Sequence, residues 1–401
     1  MAKAFDGVRV IDFSQVLAGP VATAQLALLG ADIVKIEQPE VGDQGRLMLA
    51  EDELLRKRMS PLFLSANAGK RSLSLDLKHP EAQEVLRRLI EGADVVVQNF
   101  KAGTMERLGF GYEAVKAFNP GIVYCSVSGY GQQGPNAGMA AYDGAIQAAS
   151  GIMSVTGHPE TGPVRAGFMV VDLSTALTAA FAIASALFRR AQTGQGQHID
   201  VSMYDTALAI MAPIVCKYLN TGVEPELQGN LTPALVPTGD VFPAAEGHVQ
   251  TSVLTDTHFQ VMAQVLGHPE WAEDERFSSH EQRIANADAM RACLREAFKA
   301  RTALEWERRF SAAKISCAAL RSVPEALAHP QLAHRNLLME IDPPEGLADE
   351  ITLLNASYLT SEDGPETDRP PPAIGQHSDA ILAEVGYSEA EIAGLRAVGA
   401  I

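Results

Sequence analysis

Asp172 stands alone in the stretch GFMVVDLSTALTAAFAIASALFRR, Gly167 to Arg190, between a short apolar run and a long apolar helical pattern. A carboxylate at that place has two uses. As a helix N-cap it would accept backbone N–H groups of the first turn, and such bonds keep it ionised. An ionised carboxylate in a dry site is also a nucleophile toward an activated acyl group. The two uses are compatible and both stay open, although capping aspartates are much commoner than catalytic ones.

Two basic clusters accompany it. Lys70 and Arg71 follow Gly69 in NAGKRSLSLDLK, and Lys101 and Arg107 follow a strand pattern in NFKAGTMERLGF. A glycine beside two cations can hold a phosphate, and strand C-terminal ends are where open α/β sheets bind ligands. The plain alternative for the first cluster is a solvated strand edge guarded by lysine. In a chain of net charge −17 these clusters suggest a polyanionic small molecule, whereas the charge itself argues against nucleic acid and anionic membranes as partners. GYGQQG, Gly129 to Gly134, matches a dinucleotide fingerprint after a strand, but Pro135-Asn136-Ala137-Gly138 follow where a helix is needed. It reads as a loop, near a ligand or as a plain turn. The histidines show no metal-ligand spacing, and no Gly-x-Ser-x-Gly elbow supports a serine hydrolase. Cys125, Cys216, Cys293 and Cys317 form no CxxC pair and read as reduced thiols of a cytoplasmic protein.

The elements that must position these groups alternate. Strand patterns at VRVIDFS, DIVKIEQ, DVVVQNF, IVYCSVSGY and HIDVSM are separated by helix patterns, which predicts a parallel sheet covered on both faces. Tyr142–Ile152 and Leu173–Arg190 read as helices, the second as buried and too weakly apolar for a bilayer. After about Asn220 a Pro/Gly-rich stretch, a hairpin turning at Glu246-Gly247 and three helix patterns indicate a smaller domain. At 401 residues, a chain with 47% hydrophobic and 20% charged residues is globular and too long for one ordinary core.

Five ordered blocks carry a resemblance: DGVRVIDFSQVLAGPVATAQLALLGADIVKIEQPEVGD, NAGKRSLSLDLK, VVVQNFKAGTMERLGF, YCSVSGYGQQGP and TGQGQHIDVSMYD. Together they resemble the class III CoA-transferase family, which includes formyl-CoA transferase and carnitine CoA-transferase-like enzymes. The resemblance is dense over about the first 210 residues and looser beyond. It implies an α/β fold with a Rossmann-like large domain at 1–215, completed by 330–401, a smaller α+β domain at 216–329, and an interlocked homodimer. Substrates would be CoA thioesters and small carboxylic acids, with no permanently bound cofactor. Asp172 would attack the donor thioester to give a mixed anhydride. Val16, Lys70, Arg71, Asn99, Phe100 and Arg107 would bind CoA, the cations facing its phosphates. Gln15 and Leu17 would touch substrate, and Tyr142 and Asp143 would lie near the active site.

Departures from the pattern matter too. Gln38 replaces a basic adenine-side residue of formyl-CoA transferase, and no glycine run that could form a lid lies between Leu227 and Asp240. Arg46 and Arg165 are candidates to bind the second carboxylate of a dicarboxylic acid such as succinate; their plain reading is surface arginines. A 2-methylacyl-CoA racemase or epimerase is the alternative enzyme, but a histidine is expected where Tyr142 stands, and a phenol is a poor base at neutral pH. A non-catalytic CoA-binding protein is the remaining alternative.

Overall fold

Short apolar runs rich in valine and isoleucine give six parallel strands in the computed structural model, which describes residues 3–49, 54, 56–232, 235–347 and 349–401. They are β1 (Arg9–Asp12), β2 (Asp32–Glu37), β3 (Lys70–Ser74), β4 (Val95–Gln98), β5 (Val123–Ser128) and β6 (Gln197–Ser202). Their order is β3-β2-β1-β4-β5-β6, that of a doubly wound nucleotide-binding sheet. The chain runs outward from β1 to β3 and returns to begin β4 on the other side of β1. The crevice beyond the C-terminal ends of β1 and β4 is therefore the topological switch point, where such sheets bind ligands.

Alternation along each strand divides the core into two layers. Ile11, Val34, Val96 and Tyr124 pack on one face with Val85, Leu86 and Leu89 of the Ala82–Glu91 helix. Val10, Ile33, Val95 and Val123 pack on the other with helix α1 (Ala18–Leu28) and a long later helix. Between these lies the short helix α2 (Asp143–Ala149), and the long one is α3 (Val170–Thr193). Ala176, Ala179, Ile183 and Ala186 form the buried stripe of α3. Its opposite side bears Leu177 (58% exposed), Phe181 (75%) and Phe188 (69%), so the sequence reading of a buried helix holds for one face only. By length and composition alone α3 is long and apolar enough to cross a bilayer; periodicity in so apolar a segment does not reveal which face is covered.

The chain separates into two compact units, 1–152 with 166–220 and 331–401, and 153–165 with 221–330. The second unit holds an antiparallel sheet of Val241–Pro243, His248–Thr251 and Cys317–Ala319. Helices Asp256–Leu266, Ala287–Phe298 and Ala303–Ala312 cover it around Phe242, Phe259, Phe298, Trp306 and Phe310. Residues 153–165, which the expected boundaries place in the large domain, group with this unit: the Gly229 N–H donates to the Gly157 carbonyl at 2.9 Å. The segment VPEALAHPQLAHRN forms two helices, Val323–Leu327 and Pro330–Arg335, because Pro330 cannot donate into a continuing helix. Pro233 and Ala234 of the Pro/Gly-rich stretch, and Ala348, lie outside the described residues.

Candidate active site

The loop between β1 and α1 is fixed by a buried cluster of charges beneath it. Asp12 pairs with Lys70 at 3.0 Å, Glu37 with Arg46 at 2.7 Å and Asp43 with Lys35 at 2.8 Å. All six side chains are buried, and each carboxylate has a cation beside it, as buried charges require. The cluster binds the loop directly: Asp12 accepts from the Ser14 N–H and hydroxyl, Lys35 donates to the Ser14 carbonyl at 2.8 Å, and the Val16 N–H donates to Asp43 at 2.9 Å. Val16 is held at φ +68°, a left-handed conformation costly for a β-branched residue and typical of ligand clamps. Gly19 opens α1 against Ser14 so closely that a Cβ there would lie 2.3 Å from the serine Cβ.

The turn after β4 clamps the same loop from the other side of the switch point. The Asn99 side chain accepts the Gln15 N–H and donates to the Gln15 carbonyl, both at 2.8 Å. Phe100 follows, and it lines two recesses. One, of about 280 Å³, is lined by Gln15, Leu17, Asn99, Lys101, Tyr142 and Asp172 among others. The second, of about 210 Å³, lies between apolar side chains of Ile36, Leu75, Leu77 and Leu108, with Lys78 at its edge. Gln15 and Phe100 belong to both.

Asp172 is not the cap of its helix. Asp143, at the start of α2, caps it instead, with one carboxylate oxygen accepting the N–H groups of Val171 (2.8 Å) and Asp172 (3.1 Å). Gln147 donates to the other oxygen of Asp143 and accepts the Ala166 N–H at 2.9 Å, which ties the approach to α3. Among the described residues, the Asp172 carboxylate accepts no hydrogen bond and pairs with no cation. Burial, and then the negative charge of Asp143, push its carboxyl up to about 7. The capping argument for an ordinary ionised carboxylate is thus replaced by its opposite. Asp172 is partly desolvated and poised near neutrality, and the ionised form is the more nucleophilic for lacking donors. The first-turn N–H groups that could have stabilised an oxyanion are occupied by Asp143. The recess is also lined by the Gly129–Gly131 loop, where Gly131 is at φ +88° and a Cβ on Gly129 would meet Ala141 at 2.2 Å.

The cations sort differently from their sequence clusters. Lys70 is fully buried, with its ammonium on Asp12, the Pro20 carbonyl and Asn67, so it has no donor left for a phosphate. Burial, opposed by Asp12, brings it down to about 8. Arg71 lies near the N-terminal ends of the strands, paired with Asp32 and Glu384 at 2.6 Å each. Arg46 is spent on Glu37, the Pro372 carbonyl and the Phe63 ring, and is unavailable to a second substrate carboxylate. Arg165 is exposed in the second unit. By contrast Lys78, Lys101 and Arg107 are exposed and have no carboxylate partner among the described residues. Arg107 donates only to Thr104, a residue of the second recess, at 2.9 Å. Sequence reasoning missed Lys78. Its signal was available, since it follows the strand in SLSLDLK whereas Lys70 and Arg71 begin it. Tyr142 lies on the larger recess, 66% exposed. No group of three His, Cys, Asp or Glu that could hold a metal occurs among the described residues.

A doubly wound sheet carries a partly desolvated carboxylate on the recess at its switch point, with exposed, unpaired cations beside it. The chain belongs to CoA-transferase family III, whose sequence pattern matches residues 5–378, and it is a CoA-transferase. It is 34% identical over 387 residues to the succinate–glutarate CoA-transferase of Agrobacterium fabrum, covering 94% of this chain and 95% of that one. It is 39% identical over 339 residues to the acetyl-CoA:oxalate CoA-transferase of Acetobacter aceti, covering 84% and 85%. A solved structure of a CAIB/BAIF family protein from Brucella suis matches with a TM-score of 0.86 at 34% identity, covering 96% of this chain and 100% of that chain.

Proposed function

We propose that this CoA-transferase moves CoA between small carboxylic acids, dicarboxylic ones included, with Asp172 as the acyl-accepting nucleophile. The observation that carries the reading is the unpartnered Asp172 carboxylate, raised to about 7, on the recess at the switch point. One Asp172 oxygen attacks the thioester carbonyl, the C–S bond breaks, and CoA leaves as thiolate. The product is an anhydride between Asp172 and the donor acyl group. Attack of the thiolate at the Asp172 carbonyl of this anhydride releases the donor as its carboxylate and leaves Asp172 as a CoA thioester. The acceptor carboxylate displaces the thiolate there, and the thiolate then attacks the acceptor's acyl carbonyl, releasing the new thioester and the Asp172 carboxylate. One thioester replaces another, so no nucleotide hydrolysis is needed; the covalent intermediate lowers the barrier by dividing it.

CoA fits across both recesses, with the base in the apolar one behind Phe100 and the thioester beside Asp172. Lys78, Lys101 and Arg107 take its phosphates, in place of Lys70 and Arg71. The dicarboxylic class is supported by the names of the relatives, not by Arg46. A second copy of the chain covers the exposed apolar side of α3, and light scattering that returns the mass of one chain would exclude that pairing.

The acid–base poise of Asp172 also suits removal of an α-proton, which keeps the 2-methylacyl-CoA racemase reading in view. One reaction in heavy water separates the two. It contains succinyl-CoA, a racemic 2-methylacyl-CoA and a mixture of short mono- and dicarboxylic acids. New thioesters without α-deuterium are expected by mass spectrometry, and none with Asp172→Asn. Deuterium in the 2-methylacyl-CoA without new thioesters would replace this reading with the racemase.

A further inference from the structure

Behind the Asn99–Phe100 turn runs a line of polar side chains that the site described above does not use. The Phe100 N–H donates to the Gln98 side-chain carbonyl at 2.8 Å. The Gln98 amide donates to the Ser126 hydroxyl at 2.9 Å, and that oxygen lies 2.9 Å from Nε2 of His198. Gln98 and Ser126 are register partners on β4 and β5, each almost fully buried, and His198 follows on β6. The imidazole is itself fixed, stacked on Tyr112 at 5.1 Å and set edge-on to Tyr124 at 5.6 Å.

The direction of the line is dictated by its first member. A backbone N–H only donates, so it faces the carbonyl oxygen of Gln98, and the Gln98 NH₂ must point to Ser126. The serine hydroxyl, accepting from Gln98, gives its own hydrogen to Nε2 of a neutral His198. Each of the three hydrogen bonds between His198 and Phe100 then has one donor and one acceptor, as a buried polar chain requires.

We infer that Gln98, Ser126 and His198 are positioning residues for CoA: they hold the Phe100 N–H and thereby the residue that lines both recesses. The inference rests on the placement of CoA proposed above. Gln98 touches no substrate; it acts through Phe100. A glutamic acid in its place, kept neutral by burial, could accept from the Phe100 N–H and donate its own O–H to Ser126, so Gln98→Glu preserves the relay while Gln98→Leu abolishes it.

The test measures the Kd of free CoA by calorimetry, beside kcat at saturating thioester and the unfolding midpoint. Loss of a buried hydrogen bond that sets a binding side chain corresponds to about tenfold weaker CoA binding for Gln98→Leu. Gln98→Glu is expected within about twofold of the parent, and kcat within about twofold for both, since the nucleophile is undisturbed. Ser126→Ala, which adds no bulk, gives the same answer should Gln98→Leu not fold. Unchanged Kd in Gln98→Leu or Ser126→Ala, or failure of Gln98→Glu to restore binding, would overturn the relay. A Phe100→Ala protein that binds CoA like the parent would overturn instead the placement of CoA at this turn, and the relay's role with it.

Discussion

Lys70, Arg71 and Arg46 are cations within the same α/β unit as Lys78, Lys101 and Arg107, yet the two sets have opposite fates. The first is built into the protein: each member has a carboxylate within 3.0 Å, and Lys70 and Arg46 are sealed from water. The second is exposed, near the strand C-terminal ends, with no acidic partner among the described residues. For Lys70 and Arg71 the difference lies in position along the parallel strands, whereas Arg46 follows β2 and is taken up by Glu37 at that strand's end. Residues that begin β3 point into the sheet or to its N-terminal rim, while residues that follow β3 and β4 reach the ligand crevice. Clustering in sequence does not make a binding site; a free charge at the correct end of a strand does.

The largest effect is expected at Asp172. Asp172→Asn is expected to lower kcat at least about a thousandfold, since an amide cannot accept the acyl group. The same substitution should raise the unfolding midpoint at pH 8. The Asp172 carboxyl titrates near 3.8 when unfolded and about 7 when folded, so ionising it costs stability as pH rises through that window. The gain should shrink between pH 8 and 5. A variant no more stable than the parent at pH 8 would show that the carboxylate is not desolvated.

Next in size is the contrast between Lys70 and Lys78. Lys70→Met leaves Asp12 buried and unpaired, and a cost of about 3–5 kcal/mol is expected in denaturant unfolding. Lys78→Met should alter stability by no more than about 0.5 kcal/mol. If the two cost the same, the division of the cations fails. Smaller still, Lys78→Ala, Lys101→Ala and Arg107→Ala should each raise KM for CoA thioesters about three- to tenfold. The effect should diminish with added salt, because these charges are exposed. An unchanged KM in all three would remove the phosphates from this edge. Finally, kcat/KM should rise with pH through about 7 as Asp172 loses its proton, and a flat profile across that range would assign the group elsewhere.

The sheet was legible in the sequence because its strands are continuous apolar runs bounded by turns, and all five quoted runs form strands within a residue or two of the reading. The hairpin at Glu246-Gly247 was legible for the same reason, with Gly247 at φ +76° in the turn. Asp172 drew notice as a lone carboxylate before an apolar helix, and Asn99 and Phe100 through the resemblance. The electrostatic roles were not, because they depend on which acid lies beside which base across the fold. Asp12 meets Lys70 from 58 residues away, and Arg71 meets Glu384 from 313. The exchange of capping duty between Asp172 and Asp143 was hidden likewise: the donor N–H groups and the accepting carboxylate belong to different helices. Local reading assigns an aspartate near a helix start to its own helix, and here a more distant one holds the position.

The most direct test of the nucleophile follows one oxygen atom. An acceptor acid labelled with heavy oxygen in its carboxylate is incubated with the enzyme and succinyl-CoA, and the proteolytic peptide Ala166–Arg189 is weighed. If the acceptor joins Asp172 as an anhydride and departs as a thioester, it leaves one of its oxygens behind. The expected result is heavy oxygen in that peptide, localised to Asp172 by fragmentation, only when thioester is present. Rapid CoA exchange with no label in the peptide would contradict the account.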